Sequence, residues 1–230
     1  MVYQNSGGRN VADWNVDQII PMREHVYRYL KDLILEGTYQ AGDRLIERDL
    51  AKEMNISRTP VREALFRLEA QGLVKTVPRK GVVVEKISKQ QITEIFDILS
   101  VLEGLACRLA ACRINRETAE SCEKQIQRIR AFLAEYQKED IELFHMSVCD
   151  FIYKAAKSRK LYLMLTDLTD YIRVFARAGY RKDGRFEEAM TEHMHILEAI
   201  KQGNAQAAEE RAADHIRRSK FIYLTSAHSD

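Results

Sequence analysis

Proline is scarce in this sequence, and most of the chain has none. The 230 residues include three prolines, and the last of them is Pro78. A proline inside a helix removes a backbone hydrogen bond and kinks or breaks the helix, so the 152 residues after Pro78 can form nearly continuous helices. Breaks are expected at the polar or glycine-containing stretches 158–160, 179–184 and 203–204. We therefore expect a helical C-terminal region.

Long apolar runs, a leader pattern and paired cysteines are also missing. No run of about 18 apolar residues occurs, which argues against a membrane-spanning helix. The N-terminus lacks the charged and then apolar segments of a secretory signal. The four cysteines form no CxxC pair and no disulfide framework, which fits reduced thiols. These absences favour a cytoplasmic protein that has no membrane partner.

The most informative stretch runs from Leu45 to Gly81 and predicts two short helices, a tight turn and a hairpin. The first helix has a short apolar face at helical spacing. Pro60 suits the first turn of the second helix, which Ser57 or Thr59 can cap. Gly72 ends that helix, because glycine adopts the left-handed conformation without steric cost. The pattern is that of a helix-turn-helix.

Basic charge is concentrated in the same stretch. Two β-branched runs, 73–77 and 82–84, flank Pro78-Arg79-Lys80-Gly81 and predict a two-stranded wing with a basic tip. Between Ser57 and Gly81 six basic residues oppose two acidic ones, a net charge of +4, whereas the whole chain carries +2. Such focused charge is typical of contact with phosphates and base edges of DNA. A solvated helix face and hairpin in an unrelated domain would give a similar pattern, since bare helix-turn-helix patterns are common.

The exact amino-acid sequence of this stretch is more specific than its pattern of apolar and charged positions. GTYQAGDRLIERDLAKEMNISRTPVREALFRLEAQGLVKTVPRKGVVV resembles the winged helix-turn-helix of the GntR family of bacterial transcription regulators, over essentially the first 86 residues. Arginine can fork onto a guanine edge or a phosphate, and glycine lets a wing backbone enter a narrow groove. The resemblance implies operator contacts by one residue of the first helix, four of the recognition helix and three of the wing: Arg48; Ser57, Arg58, Thr59 and Arg62; Arg79, Lys80 and Gly81.

The remainder of the chain predicts a second, all-helical domain. Six amphipathic helices without internal repeats are expected between residues 89 and 225, and they would form an antiparallel bundle. We expect a mainly α protein with three parts: a mobile tail (1–17), a winged helix-turn-helix domain (18–86), and an all-helical effector-binding and dimerisation domain (87–230).

Two histidines of the bundle are candidate metal ligands. His193 and His215 are 22 residues apart, on two helices that a turn at 203–204 joins, so an antiparallel pair brings them to the same level. Two inward imidazoles can bind a divalent ion. They can equally be core histidines satisfied by hydrogen bonds, because two ligands are fewer than a metal needs. Spacing alone favours the second reading.

A second family resemblance favours a metal site over two core histidines. EHMHILEAIKQGNAQAAEERAADHI and LSVLEGLACRLAA are similar to parts of the FCD ligand-binding domain of the FadR-like branch of GntR regulators, and six helices match its VanR-like variety. In that domain an Asp and a His, spaced i and i+4, often bind a metal together with two later histidines. The later pair corresponds to His193 and His215.

The first pair of ligands aligns in two ways. Matching Phe144-His145 to the family's F-H puts Ile141 where the aspartate belongs. Matching the next helix break instead puts His145 and Cys149 at the two ligand positions, and both are good ligands for zinc-like ions. Cys149 could equally be a buried, inert cysteine. The resemblance implies a divalent ion of the Zn, Ni or Mn type held by His145, Cys149, His193 and His215.

The effector site departs from the family in one respect. Where the first helix of the domain often carries an arginine for a carboxylate effector, this chain has Leu99. Arg173 and Arg177, on the fourth helix of the bundle, could supply that charge from another wall. They could equally be the exposed ends of an amphipathic helix.

These observations lead to a transcription regulator, and we expect a repressor. A symmetric homodimer would place two recognition helices on palindromic double-stranded operator DNA, and a small effector, a carboxylate or similar metabolite, would modulate binding. One alternative is a metal-dependent hydrolase, for which Glu192 is the only obvious carboxylate next to a ligand. The other is a regulator whose pocket has lost its metal and serves as a dimer scaffold. We expect no enzyme activity.

Overall fold

The computed structural model describes residues 21–86, 88–135, 141–180 and 182–226 of the chain. The chain divides into two compact units, Met1–Ile87 and Ser88–Asp230. The tail predicted for residues 1–17 lies outside the described residues. Within the described ranges, no helix combines the length and the apolar character that crossing a membrane requires.

The first unit contains three helices and three short strands. Val61, Ala64, Leu65 and Leu68 give its third helix a buried face at helical spacing, and this face packs against the first helix. Ser57 occupies the N-cap position without a side-chain capping bond. The elements are α1 (Met22–Leu35), β1 (Arg44–Leu45), α2 (Glu47–Glu53), α3 (Arg58–Ala70), β2 (Val74–Val77) and β3 (Gly81–Val84).

The wing has one more strand than the sequence predicted. The sheet is antiparallel with the order β1-β3-β2, so β1 pairs with the outer edge of the hairpin. A two-residue strand is too short to show an alternating pattern, which is why β1 was not predicted. Arg44 Nε donates a hydrogen bond to the carbonyl oxygen of Lys80 at 2.8 Å. The wing tip is therefore tied to the strand that precedes α2.

The second unit is a bundle of helices. The helix Lys89–Cys112 (α4) packs along the last helix, Ala205–Ser226 (α9). Arg116–Glu135 (α5) and α9 both pack against Arg185–Lys201 (α8). The first helix starts with a capping box, in which Ser88 Oγ accepts from the backbone N–H of Gln91 and Gln91 Oε1 accepts from that of Ser88. The mainly α fold class is confirmed. The described helices are α4 (Lys89–Cys112), α5 (Arg116–Glu135), α6 (Ile141–Ala155), α7 (Arg159–Gly179), α8 (Arg185–Lys201) and α9 (Ala205–Ser226).

Candidate functional sites

The side chains that the resemblance assigns to DNA are exposed on the first unit. Four lie at the start of α3, three at the wing tip and one in the first turn of α2. At the wing tip, Arg79 and Gly81 have left-handed backbone φ angles of 65° and 85°. Arg48 pairs with its neighbour Asp49 at 3.1 Å, in an exposed contact that contributes little to stability. All eight are therefore accessible to a ligand of this unit.

An acid on α2 holds two of these arginines. Arg62 Nε and Nη2 lie 2.9 and 3.0 Å from the two carboxylate oxygens of Glu47, and Arg58 Nη2 lies 3.0 Å from Oε2. The hydrogen bond from Arg62 is the largest cause that lowers the pKa of Glu47; burial opposes it and Arg58 adds to it. This two-point geometry fixes the plane of the Arg62 guanidinium group, and the single bond from Arg58 holds the Arg58 side chain beside it. Sequence reasoning missed Glu47, because no local pattern links positions 47, 58 and 62.

A separate cluster of histidines and a cysteine lies in the bundle. His145 and Cys149 are one turn apart on α6, and His193 comes from α8. Cys149 Sγ lies 3.4 Å from His145 Nε2 and 3.7 Å from His193 Nε2, and all three residues are buried. Their donor atoms lie within 4.8 Å of one another. The structure thus brings together three of the four ligands that the resemblance implies.

Hydrogen bonds fix how the histidines present their nitrogens. His193 Nδ1 lies 2.8 Å from the carbonyl oxygen of Ala189; a carbonyl only accepts, so the proton is on Nδ1 and the Nε2 lone pair faces Cys149. His215 Nδ1 likewise donates to Glu192 Oε2 at 2.6 Å. The His215 ring centroid is 4.5 Å from that of His193. This support is typical of metal-binding histidines.

The chemistry of the cluster fits a divalent ion with a preference for nitrogen and sulfur. Burial, followed by the charges of His215 and Arg185, lowers the pKa of His145 to about 3, and burial also lowers the pKa of His193 well below its usual value. Both rings are therefore neutral and able to bind metal. Burial raises the pKa of the Cys149 thiol, so an ion would have to displace its proton. His145 Nδ1 is a buried nitrogen without a hydrogen-bond partner in the described part of the chain.

A small cavity adjoins the cluster. Its open volume is about 30 Å³, room for about one water molecule. Leu99, the residue at the family's arginine position, is buried in its wall. The other side chains that line it are Phe96, Ile172, Ile216 and Ile222, which are apolar, and Glu103, His145, Tyr180, Arg185, His215 and Ser219, which are polar.

The arginine in this cavity is not one that the sequence analysis named. Arg173 pairs with Glu142 at 3.3 Å, and the side chain of Arg177 lies outside the described part of the structure. Arg185 is buried and lines the cavity, where its Nη atoms bind Glu192 Oε2 at 3.2 Å and Ser219 Oγ at 3.0 Å. It precedes His193 by two helical turns on α8, a spacing that could have identified it.

A buried glutamate completes the polar wall. Glu103 lies on the apolar face of α4, one turn after Leu99, and accepts a hydrogen bond from the hydroxyl of Tyr153. Burial raises the pKa of Glu103, while the charge of His215 and this hydrogen bond lower it. Its signal in the sequence is a single acid among apolar residues at helical spacing.

Two family models match the chain, one in each of its two units. Residues 22–84 match the model of "Bacterial regulatory proteins, gntR family". Residues 94–218, more than half of the chain, match the model of the FCD domain.

Individual proteins agree with these matches. The chain is 31% identical to the uncharacterized HTH-type transcriptional regulator YdhC of Bacillus subtilis over 209 residues, which cover 88% of this chain and 91% of YdhC. It is 26% identical to the HTH-type transcriptional repressor RspR of Escherichia coli over 205 residues, 79% of this chain and 90% of RspR. The solved structure of E. coli McbR/YncC is similar in fold, with a TM-score of 0.70, 22% identity and coverage of 91% of this chain and all of that one.

Proposed function

The chain belongs to the GntR family of bacterial regulatory proteins and carries an FCD domain, and from this premise we propose that it represses transcription until a small effector enters the bundle. It is a DNA-binding transcription regulator and not an enzyme. We assign residues 18–86 to DNA binding and 87–230 to effector binding and dimerisation. RspR is named a repressor, whereas the Glc operon regulator of Escherichia coli, also 26% identical to this chain, is named an activator, so repression is our proposal and does not follow from these names. The cytoplasm is the proposed location, because bacterial operator DNA lies there.

The observation that carries the DNA-binding proposal is the pair of arginines held by Glu47 on the exposed start of α3. Side chains whose orientation is already fixed lose less conformational freedom when they bind. Arg58 and Arg62 would read base edges in the major groove, with Ser57 and Thr59 beside them. Contacts to phosphates fall to the other predicted residues, namely Arg48, Arg79, Lys80 and the backbone of Gly81.

A homodimer follows from the geometry of operators. One recognition helix covers about half of a site, so two copies related by a twofold axis would read a palindrome. Ile98 and Val101 on α4 are 51% and 69% exposed, and such apolar side chains on one helix support a contact with a second copy.

The histidine and cysteine cluster is the proposed metal site. His145, Cys149 and His193 would bind the ion, with His215 as the fourth ligand that Glu192 orients. A thiolate ligand favours zinc- or nickel-type ions over manganese. When bound, the ion supplies a fixed positive centre beside the cavity. Effector binding there would alter DNA affinity only as far as it favours one arrangement of the dimer.

Two measurements test this function. Fluorescence anisotropy with a labelled duplex from the protein's own promoter region should show retention at low ionic strength; failure to bind any such fragment would refute the regulator. Elemental analysis of the purified protein should find about one zinc- or nickel-type ion per chain, lost in His193→Ala. A wild-type protein without metal, whose melting is unaffected by a chelator, would instead support the scaffold alternative.

A further inference from the structure

The cavity contains an acid to which the proposed function gives no role. Glu103 is 6% exposed and shares the cavity wall with Leu99. Its hydrogen bond from Tyr153 comes from a neutral hydroxyl. A carboxylate offers about four acceptor positions, so most of the acceptor capacity of Glu103 is open to a ligand.

Within the described ranges Glu103 also lacks a hydrogen bond from a cation, although the charge of His215 acts on it. Across the described ranges, no lysine or arginine forms an ion pair with it. Arg185, which lines the same cavity, is bound to Glu192 and Ser219 instead. Burial raises the pKa of Glu103 and so favours its neutral form, and a ligand that brings a positive group to this wall would stabilise the ionised form instead.

Charge balance at the neighbouring cluster indicates the rest of the ligand. A divalent ion bound by the Cys149 thiolate keeps one net positive charge. A ligand carboxylate would neutralise that charge. Arg185 lines the same cavity and uses three of its five N–H donors on Glu192 and Ser219, so donors remain for the ligand. With the ligand carboxylate matched to the ion, an ammonium group on the same ligand is the partner that would hold Glu103 ionised.

We propose that the effector is a small amino acid, whose ammonium group donates to Glu103 and whose carboxylate faces the ion and Arg185. This inference rests on the proposed function, since it takes the cavity to be the effector site. The open volume of about 30 Å³ requires a small ligand and some widening of the cavity. A hydroxy acid of the same skeleton would donate from a neutral hydroxyl, which stabilises an ionised Glu103 less than an ammonium group does.

Matched pairs of ligands provide the test. The full-length protein, reconstituted with zinc, is titrated calorimetrically with glycine, L-alanine and L-serine, and with glycolate, L-lactate and L-glycerate. Retained zinc is measured after each titration to detect stripping of the ion. A charged donor should bind Glu103 more strongly than a neutral one, so in at least one pair the amino acid should bind about tenfold more tightly.

Variants connect the preference to Glu103. Glu103→Gln should lower the affinity for the preferred amino acid about tenfold and leave that of its hydroxy acid within about twofold. Glu94→Gln, an exposed substitution on the same helix, should change neither. The comparison of ligands on the wild-type protein needs no variant, so it stands even if Glu103→Gln does not fold.

The possible results separate the inference from the function on which it rests. Hydroxy acids that bind the wild type as tightly as amino acids, or an absence of binding by all three amino acids, would overturn the inference. Retention of promoter DNA by the same preparation would leave the regulator function intact in either case. Loss of that retention would refute the function instead.

Discussion

Arg62 and Glu47 form a two-point ion pair, in which Nε and Nη2 of the arginine meet the two carboxylate oxygens at 2.9 and 3.0 Å. The acid comes from the start of α2 and the base from the exposed face of α3. Arg58 adds a third bond to the same carboxylate. The pair therefore orients the side chains that we propose to read DNA before any DNA is present.

Removal of this charge should reduce specificity more than affinity. In Glu47→Gln the arginines lose their orientation, so binding to operator should weaken by about 1–2 kcal/mol, the cost of immobilising one or two side chains again. Binding to a scrambled duplex should not weaken, because a negative charge has left the DNA-facing surface. Anisotropy with both duplexes measures the ratio. Glu53→Gln at the other end of α2 is the control, and an unchanged ratio in Glu47→Gln would contradict an orienting role.

The arginines themselves should contribute directly. Arg58→Ala or Arg62→Ala should weaken operator binding by about 1–3 kcal/mol if these side chains read bases. Arg130→Ala removes the same charge from an exposed position of α5 and should have little effect. Operator titrations at constant salt measure the differences. Full affinity in both α3 variants would show that another helix reads the DNA.

Salt should weaken binding steeply, and the wing should account for part of the slope. A dimer with roughly six or more phosphate contacts releases many counterions on binding, so log affinity should fall linearly with log salt. Lys80→Ala, a change at an exposed wing position, should reduce the slope by about one for each phosphate that the lysine neutralises. The slope is measured between about 50 and 200 mM salt. A flat profile would rule out the electrostatic contribution.

Sequence reasoning reached the elements whose signals are local. Periodic apolar positions predicted α3 and the helices of the bundle, and glycine and polar breaks predicted their ends. It missed β1, because two residues carry no period, and it missed Glu47 and Glu103, because their partners are distant in sequence. Arg185 was passed over in favour of Arg173, although only Arg185 lies two turns from His193 on the same helix. Long-range pairing, rather than local preference, decided these cases.

The proposed metal site should show a spectroscopic signal from its cysteine ligand. Protein loaded with cobalt should show a thiolate charge-transfer band in the near ultraviolet, because Cys149 Sγ lies between two histidine nitrogens. Cys149→Ser should abolish the band, whereas Cys112→Ser, a change at an exposed free cysteine, should retain it. Chelation should also lower the melting temperature of the wild type, since loss of a ligand bound only to the folded state is destabilising. A band that survives in Cys149→Ser would place the thiolate elsewhere.

Stability of the first unit should depend on pH through Glu24. Burial raises the pKa of this carboxyl, but hydrogen bonds from Arg67 at 2.5 Å and Arg28 at 2.9 Å outweigh burial, so the net pKa is lowered below its ordinary 4.5. A depressed pKa contributes stability above the ordinary value, and that stability is lost as pH falls through the folded pKa. Glu24→Gln should therefore destabilise α1 and α3 by about 1–2 kcal/mol at pH 7 and by less at pH 3, which lies below the ordinary pKa of 4.5.

Hydrogen exchange of the α1 and α3 peptides checks this expectation. Variant and wild type are compared at the same pH, so that the intrinsic exchange rate cancels. Glu63→Gln, whose ion pair with Arg23 is long at 3.8 Å and exposed, is the control. An equal penalty for Glu24→Gln at both pH values would attribute the effect to packing instead of charge.

The capping box at Ser88 should allow the bundle to be fused to another protein. The first turn of α4 satisfies its own backbone groups with Ser88 and Gln91, so the start of this helix does not depend on the residues before it. A fusion joined just ahead of Ser88 would keep that start intact. The proposed sensing domain could then be joined to a different DNA-binding domain, as a module for engineered gene circuits.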